Sequence, residues 1–348
     1  MAKTYTSLEK FSRLFRETEK SCAFRAESLE GYAAWKERTR RKLAELTGLD
    51  RLKKCPLCPE LLSSEDIPGE PFRRHKYHIQ TEQGVWMPFY LLEPQRPGKK
   101  PVMICPHGHG SGGKASTGGE TGIPEVAESI AGYHYEYAFE FARRGFLVFC
   151  PDARGFGERR EIFQEGDLMG SSCRELNQMA ISLGLTVTGM WVFDLMRLID
   201  YMETREDCDL SRLGCAGLSG GGLQTLWLSA MDDRVKAAVV SGYFYGYHDS
   251  LLLLSGNCSC NYVPHLWETV DMGDIAALIA PRPLMIETGD QDPLNGRGGV
   301  ENVVSQLEIT RRAYRLFHAE ENLAHSLNHG AHRWYGRDAY GFMTHHLQ

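Results

Sequence analysis

The stretch Leu213-Gly-Cys-Ala-Gly-Leu-Ser219-Gly-Gly-Gly222 decides how the chain is read. Its first half, Leu213 to Leu218, is a short apolar run of the kind that forms a buried strand. Its second half opens a helical pattern, with Leu223, Leu226, Trp227 and Ala230 at i, i+3, i+4 and i+7. One hydroxyl, Ser219, stands between them inside Gly217-Leu-Ser-Gly-Gly221, a G-x-S-x-G pattern. A strand that turns at once into a helix forces its central residue into strained backbone angles, and side chains two positions either side would collide. Glycine at 217 and 221 removes those side chains and leaves the Ser219 hydroxyl at the tip of the turn. Gly220 then offers an amide at the start of a helix, where N–H groups are unpaired and the dipole favours negative charge.

Around this turn, strand and helix patterns alternate. Apolar runs at 101–106, 146–150, 235–240, 283–288 and 313–317 are expected as strands, with helices over 135–144 and 190–204. Such alternation predicts an α/β fold, a mostly parallel sheet with helices on both faces. Residues 72–92 read instead as a β-hairpin that starts the sheet. Upstream the chain is helical: Ser7 is placed to cap a helix carrying Leu8, Phe11, Leu14 and Phe15. Ser28 is placed to cap a second, with Tyr32, Trp35, Leu43 and Leu46 inward and Gly48 as its stop. A polar connector, 63–70, separates the two regions. The expected organisation is a helical extension over 1–70 packed on a catalytic domain over 71–348.

Composition narrows the function classes. With 42% hydrophobic and 24% charged residues the chain can bury a substantial core. A net charge of −6 argues against general nucleic-acid binding, and the basic runs 38–42 and 51–54 are broken by uncharged residues, as on solvated helix faces. The N-terminus, Met-Ala-Lys-Thr-Tyr-Thr-Ser, leads into an amphipathic pattern and no run approaches membrane-spanning length, so a cytoplasmic protein without membrane partners is expected. Ten scattered cysteines without a secretion signal favour free thiols. The pairs Cys55/Cys58 and Cys258/Cys260 differ in spacing, the second is shorter than a usual zinc knuckle, and no histidine follows at finger spacing; His107 and His109 lack a nearby carboxylate. No metal and no cofactor are expected.

A serine hydroxyl is a poor nucleophile near neutral pH unless a base takes its proton and an acid orients that base. In open α/β sheets this chemistry sits beyond the carboxyl ends of strands. Past the strand ending near Thr288 lies Gly289-Asp-Gln-Asp292, where Asp292 is favoured and Asp290 is the alternative; Glu287, inside the strand, is expected to face solvent or cap a turn. Of the histidines that follow, His318 is assigned to the last strand and His345 and His346 to the end of the last helix. The loop 324–334 then offers His332, with His329 second. Charge that develops on a substrate oxygen needs a second amide facing Gly220, and His107-Gly-His109-Gly110, just after the strand 101–106, can supply the His109 N–H. The segment 241–262 starts at a strand's carboxyl end, and its Tyr243, Tyr245 and Tyr262 are read as walls of a substrate pocket.

Taken in order, Pro106-His-Gly-His-Gly110, Pro151-Asp-Ala-Arg-Gly-Phe-Gly-Glu158, Gly217-Leu-Ser-Gly-Gly221, Ala280-Pro-Arg-Pro283 with Gly289-Asp-Gln-Asp292, and Gly330-Ala-His332 resemble the acetyl xylan esterase and dienelactone-hydrolase-like branch of the α/β-hydrolase superfamily, from about residue 70 to the end. The resemblance implies Ser219 as nucleophile, Asp292 as acid, His332 as base, and the His109 and Gly220 amides as oxyanion donors, with Arg154 and Asp194 as scaffold. Two positions depart from it. The cephalosporin-deacetylase type carries glutamine after Arg-Gly, where this chain has Phe156, and dienelactone hydrolases proper use a cysteine where this chain has Ser219. The expected function is a serine carboxylic-ester hydrolase removing acetyl or other short acyl groups from a small or carbohydrate ester, with a homo-oligomer left open. A serine peptidase of the same fold, or a non-catalytic binding protein on this scaffold, are the competing readings.

Overall fold

A computed structural model describes residues 5–253 and 255–348; Met1 to Thr4, and Leu254 at the end of the leucine run 251–254, lie outside it. Among the described residues nine strands form one sheet: β1 (Glu60–Asp66), β2 (Phe72–Glu82), β3 (Val85–Pro94), β4 (Lys100–Ile104), β5 (Leu147–Pro151), β6 (Cys208–Leu218), β7 (Ala237–Ser241), β8 (Leu284–Gly289) and β9 (Leu323–Asn328). Their spatial order is β1-β2-β3-β5-β4-β6-β7-β8-β9. The pairs from β1 to β3, and β3 with β5, are antiparallel; from β5 through β4 to β9 every pair is parallel. β4, β5, β7 and β8 are buried along their whole length, as strands covered on both faces must be. This is the architecture of an α/β-hydrolase, and the hairpin expected over 72–92 is β2 and β3.

The helices that cover the sheet group into separate cores. One contains Trp191, Leu226 and Trp227 with Val303, Leu307 and Tyr314; another contains Tyr137, Phe141, Trp334, Met343 and Leu347. The helix Leu29–Thr47 joins the first through Tyr32, Trp35 and Leu43. Its entry and exit follow the sequence: Ser28 Oγ accepts the Gly31 N–H at 3.1 Å, and Gly48 stops it in the left-handed region at φ 72°. Tyr32 Oη donates to the carbonyls of Ala277 and Ala280, tying this helix to the body. Ser7 precedes the helix Leu8–Glu17 without capping it through its side chain. Among the described residues no helix is long and apolar enough to cross a membrane.

Three expectations need correction. Residues 313–317 are not a strand but the end of the helix Val300–Leu316, in which Val303, Gln306, Leu307, Thr310, Ala313 and Tyr314 are buried at helical spacing. The last strand is β9, so His318 lies outside it, at φ 51° just past that helix. The polar connector 63–70 is in part a strand: β1 pairs with β2 at the sheet edge, and its exposed, acidic sequence hides the pairing from a hydrophobicity pattern.

Candidate active site

The parallel ladder brings three loops to one edge. β6 and β7 run in register from Gly214 with Ala237 to Leu218 with Ser241, and the Ser219 N–H continues it onto the Ser241 carbonyl at 2.9 Å. Ser219 then stands at φ 59°, ψ −117°, immediately before the helix Gly220–Met231. A non-glycine residue held there costs on the order of 1–3 kcal/mol, and the surrounding packing enforces it. A Cβ at Gly217 would meet the Gly221 backbone at 2.5 Å, and one at Gly221 would meet the Pro106 carbonyl at 2.1 Å. The second contact sets the loop after β4 against the helix start.

That loop is held by His107. Its Nε2 accepts the Ala153 N–H at 3.1 Å, so Nδ1 carries the proton, 2.9 Å from the Gly108 carbonyl. Burial pushes the His107 pKa down, which keeps the ring neutral. Gln224 Nε2 donates to the carbonyls of His107 and Gly220, and Tyr135 Oη donates to the carbonyl of His109. The amides of His109 and Gly220 donate to no acceptor among the described residues. Two unengaged N–H groups thus flank the serine turn.

Asp292 and His332 come from the next strand ends. His332 Nδ1 lies 2.6 Å from Asp292 Oδ2, and the Asp292 carboxylate, with its side chain 2% exposed, also accepts the Leu294 N–H at 2.8 Å through Oδ1. With Nδ1 committed, Nε2 is the ring nitrogen left to exchange a proton. The ring packs on Gly242: a Cβ there would meet His332 Cε1 at 2.8 Å and Leu218 Cδ1 at 3.0 Å. Leu218 precedes the serine. Among the described residues the Ser219 side chain makes no hydrogen bond, the ordinary condition of a nucleophile whose contacts tighten with substrate. Asp290 and His329 pair with each other instead, at 3.0 Å, and the His329 side chain is 82% exposed. That histidine and the Gly330 N–H hold the Asp290 pKa down.

These arrangements fit what comparison of the whole chain gives. A model of the Abhydrolase family matches residues 8–337. The chain belongs to that family. A relative from Bacillus subtilis (strain 168), YtaP, named as a hydrolase, is 30% identical over 229 residues, covering 63% of this chain and 70% of its own. Among solved structures, one from Bacteroides fragilis NCTC 9343 described as an acetyl xylan esterase superposes with a TM-score of 0.74 at 18% identity, over 94% of this chain and 83% of its own. A glucuronoyl esterase from Solibacter usitatus gives 0.66 at 15% identity, over 94% and 98%.

A cavity of about 20 Å³ is lined by His109, Ser219, Gly220, Leu223, Tyr243 and Tyr245, together with Asn257, Asn261 and Leu294. It has room for little more than one water molecule. Tyr262 does not line it; its hydroxyl donates to the Leu251 carbonyl at 2.8 Å, and its ring borders a separate groove beside the helix Leu8–Glu17. Glu287 corrects another expectation. It is 1% exposed and accepts from Ser241 Oγ at 2.8 Å, Tyr335 N at 3.0 Å and Gly336 N at 2.7 Å, so it anchors the segment that follows His332. Burial pushes its pKa up. A lone carboxylate inside an apolar parallel strand is the signal that points to such a role.

Arg154 and Asp194 form the buried scaffold that the resemblance implies. Arg154 binds both carboxylate oxygens of Asp194 and also Glu82, while Arg159 shares Asp194 at 2.8 Å. The two arginines hold the Asp194 carboxyl well below the usual carboxylate range. A further cluster is invisible in the sequence spacing: His109, Cys173, Cys258 and Cys260 each place one ligand atom within 4.8 Å of the others.

Proposed function

We propose that this protein is a serine ester hydrolase acting on short acyl esters through an acyl-enzyme. His332 Nε2 takes the Ser219 proton as Oγ bonds to the acyl carbon, and the carbonyl electron pair moves to an oxyanion received by the His109 and Gly220 amides. Asp292 keeps the imidazole in its Nδ1–H form and stabilises the imidazolium. The tetrahedral intermediate then expels the alcohol, which leaves with the proton from Nε2. Water attacks the acyl-serine by the same route in reverse, giving a carboxylic acid and free Ser219. Each oxyanion donor is worth about 10²–10³ in kcat.

The observation that carries this reading is the His332–Asp292 hydrogen bond packed on the residue beside the serine turn, with two amides left without acceptors. The small cavity beside Ser219 argues against long acyl chains and so favours a short one. The acetyl xylan and glucuronoyl esterases among the structural neighbours share the fold and support a carbohydrate ester as the natural substrate class. Hydrolysis of p-nitrophenyl acetate and of acetylated xylo-oligosaccharides tests it. Both are expected to be hydrolysed by the wild type, and Ser219→Ala and His332→Ala are expected to lose that activity. Undiminished turnover in Ser219→Ala refutes the mechanism.

A further inference from the structure

Three thiols and an imidazole that this reaction does not use converge at the side chain of His109. They come from three separate places: the loop after β4 (His109), the first residue of the helix Cys173–Ile181, and the segment 255–262 (Cys258 and Cys260). Cys173 and Cys260 are buried, and His109 and Cys258 are half-buried. A buried thiol ordinarily packs as a small hydrophobe among apolar neighbours. Here every ligand atom lies within 4.8 Å of the other three.

We propose that His109, Cys173, Cys258 and Cys260 form a structural zinc site. Tetrahedral zinc, with Zn–S near 2.3 Å and Zn–N near 2.0–2.1 Å, requires sulfur–sulfur edges of about 3.8 Å and nitrogen–sulfur edges of about 3.6 Å. The His109 Nε2 to Cys260 Sγ distance is 3.6 Å. The 4.8 Å limit on the remaining pairs leaves shifts of no more than about 1 Å to close the tetrahedron. Three thiolates and one imidazole select zinc over the hard cations magnesium and calcium. Four protein ligands fill the coordination sphere, so the ion clamps chain segments and offers no open position for Lewis-acid chemistry. On binding, the three thiols release three protons, and the site carries one net negative charge with a neutral imidazole.

The surroundings are built to hold these ligands in place. Asn261 Nδ2 lies 3.8 Å from Cys260 Sγ as a donor to the sulfur and also donates to the Cys258 carbonyl at 3.0 Å. Thr188 Oγ1 donates to the Cys260 carbonyl at 2.6 Å, Asn177 Nδ2 to the Ser259 carbonyl at 2.9 Å, and Ser259 Oγ to the Cys173 carbonyl at 3.3 Å. Such outer contacts orient ligands and raise metal affinity. Because Asn257 and Asn261 line the cavity beside Ser219, the clamp sets that wall and the position of the His109 amide. This consequence rests on the esterase reading; the site itself does not.

The test is the zinc content of the full chain purified from zinc-supplemented culture under reducing conditions. About one zinc per chain is expected. Cys173→Ala and Cys258→Ser should each lower zinc affinity by at least about tenfold, whereas Cys22→Ala and Cys105→Ala should retain the metal. Cobalt(II) exchanged into the wild type should give thiolate charge-transfer and tetrahedral ligand-field bands. If a cysteine variant does not fold, thiol counting on the wild type decides: removing the metal with a chelator should expose three additional reactive thiols, and added zinc should protect them again. Substoichiometric zinc, zinc retained by both ligand variants, or an intact-mass measurement showing a disulfide among the three cysteines would overturn the proposal. No readout depends on turnover, so failure here and failure of the esterase reading are separable.

Discussion

Gly242→Ala tests whether the imidazole at 332 must sit where it does. The added methyl would stand 2.8 Å from His332 Cε1 and 3.1 Å from its Nδ1, with Leu218 Cδ1 at 3.0 Å blocking the other side. Carbon atoms prefer about 3.5–4.0 Å, so roughly 0.7–1.2 Å of clearance is missing. The ring must supply most of it, because the Leu218 side chain is fully buried and has no open space to move into. Gly242 also stands at φ 56°, where an alanine costs about 1–2 kcal/mol. With about 1–3 kcal/mol for overpacking, the expected loss of stability is about 2–5 kcal/mol. A misplacement of about 1 Å costs on the order of 10² in rate. Urea denaturation and steady-state hydrolysis of p-nitrophenyl acetate measure the two effects separately. The expected result is a folded enzyme with kcat about 10²-fold lower and KM little changed. A folded variant with kcat/KM within about threefold of wild type would show that catalysis does not require His332 at this position.

Three further outcomes follow from the same structure. Asp194→Ala leaves Arg154 and Arg159 buried without their shared carboxylate and should cost about 3–5 kcal/mol in the denaturation free energy. Burial raises the Asp274 pKa from 3.8 to about 6, so between those values the folded chain holds a proton that the unfolded chain releases. Its contribution is fully present below the lower value and lost as pH rises through the upper one, at most about 3 kcal/mol; Asp274→Asn should flatten that part of the stability–pH curve measured by denaturation between pH 4 and 7. Leu223→Ala, which removes a buried wall of the cavity beside Ser219, should cost about 2–5 kcal/mol of stability and raise the ratio of butyrate to acetate ester hydrolysis.

The serine turn was legible because its constraint is local: a strand, a left-handed serine and a helix within ten residues leave glycine few substitutes. The pairing of Asp292 with His332 was legible from chain order, a histidine after the acid that follows the serine, although the strand that leads to His332, Leu323–Asn328, lay in a segment expected as loop. Local windows failed where a longer period ruled. Ala313-Tyr-Arg-Leu-Phe317 resembles a strand over five residues, yet over seventeen the buried positions from Val303 to Tyr314 fall at helical spacing. Glu287 and Tyr262 were misjudged because composition does not reveal which way a side chain turns. The cysteine–histidine cluster could not be read from spacing at all, because the fold assembles it from segments as far apart as His109 and Cys260.

Acylation of Ser219 is the step from which the rest of the mechanism follows, and quenched-flow mass spectrometry reads it out. Mixing enzyme with excess p-nitrophenyl acetate should give one acetyl group per chain, located on the peptide containing Ser219 and absent from Ser219→Ala and His332→Ala. An acetyl group on any other residue of a turning-over enzyme, or turnover by Ser219→Ala, would contradict it.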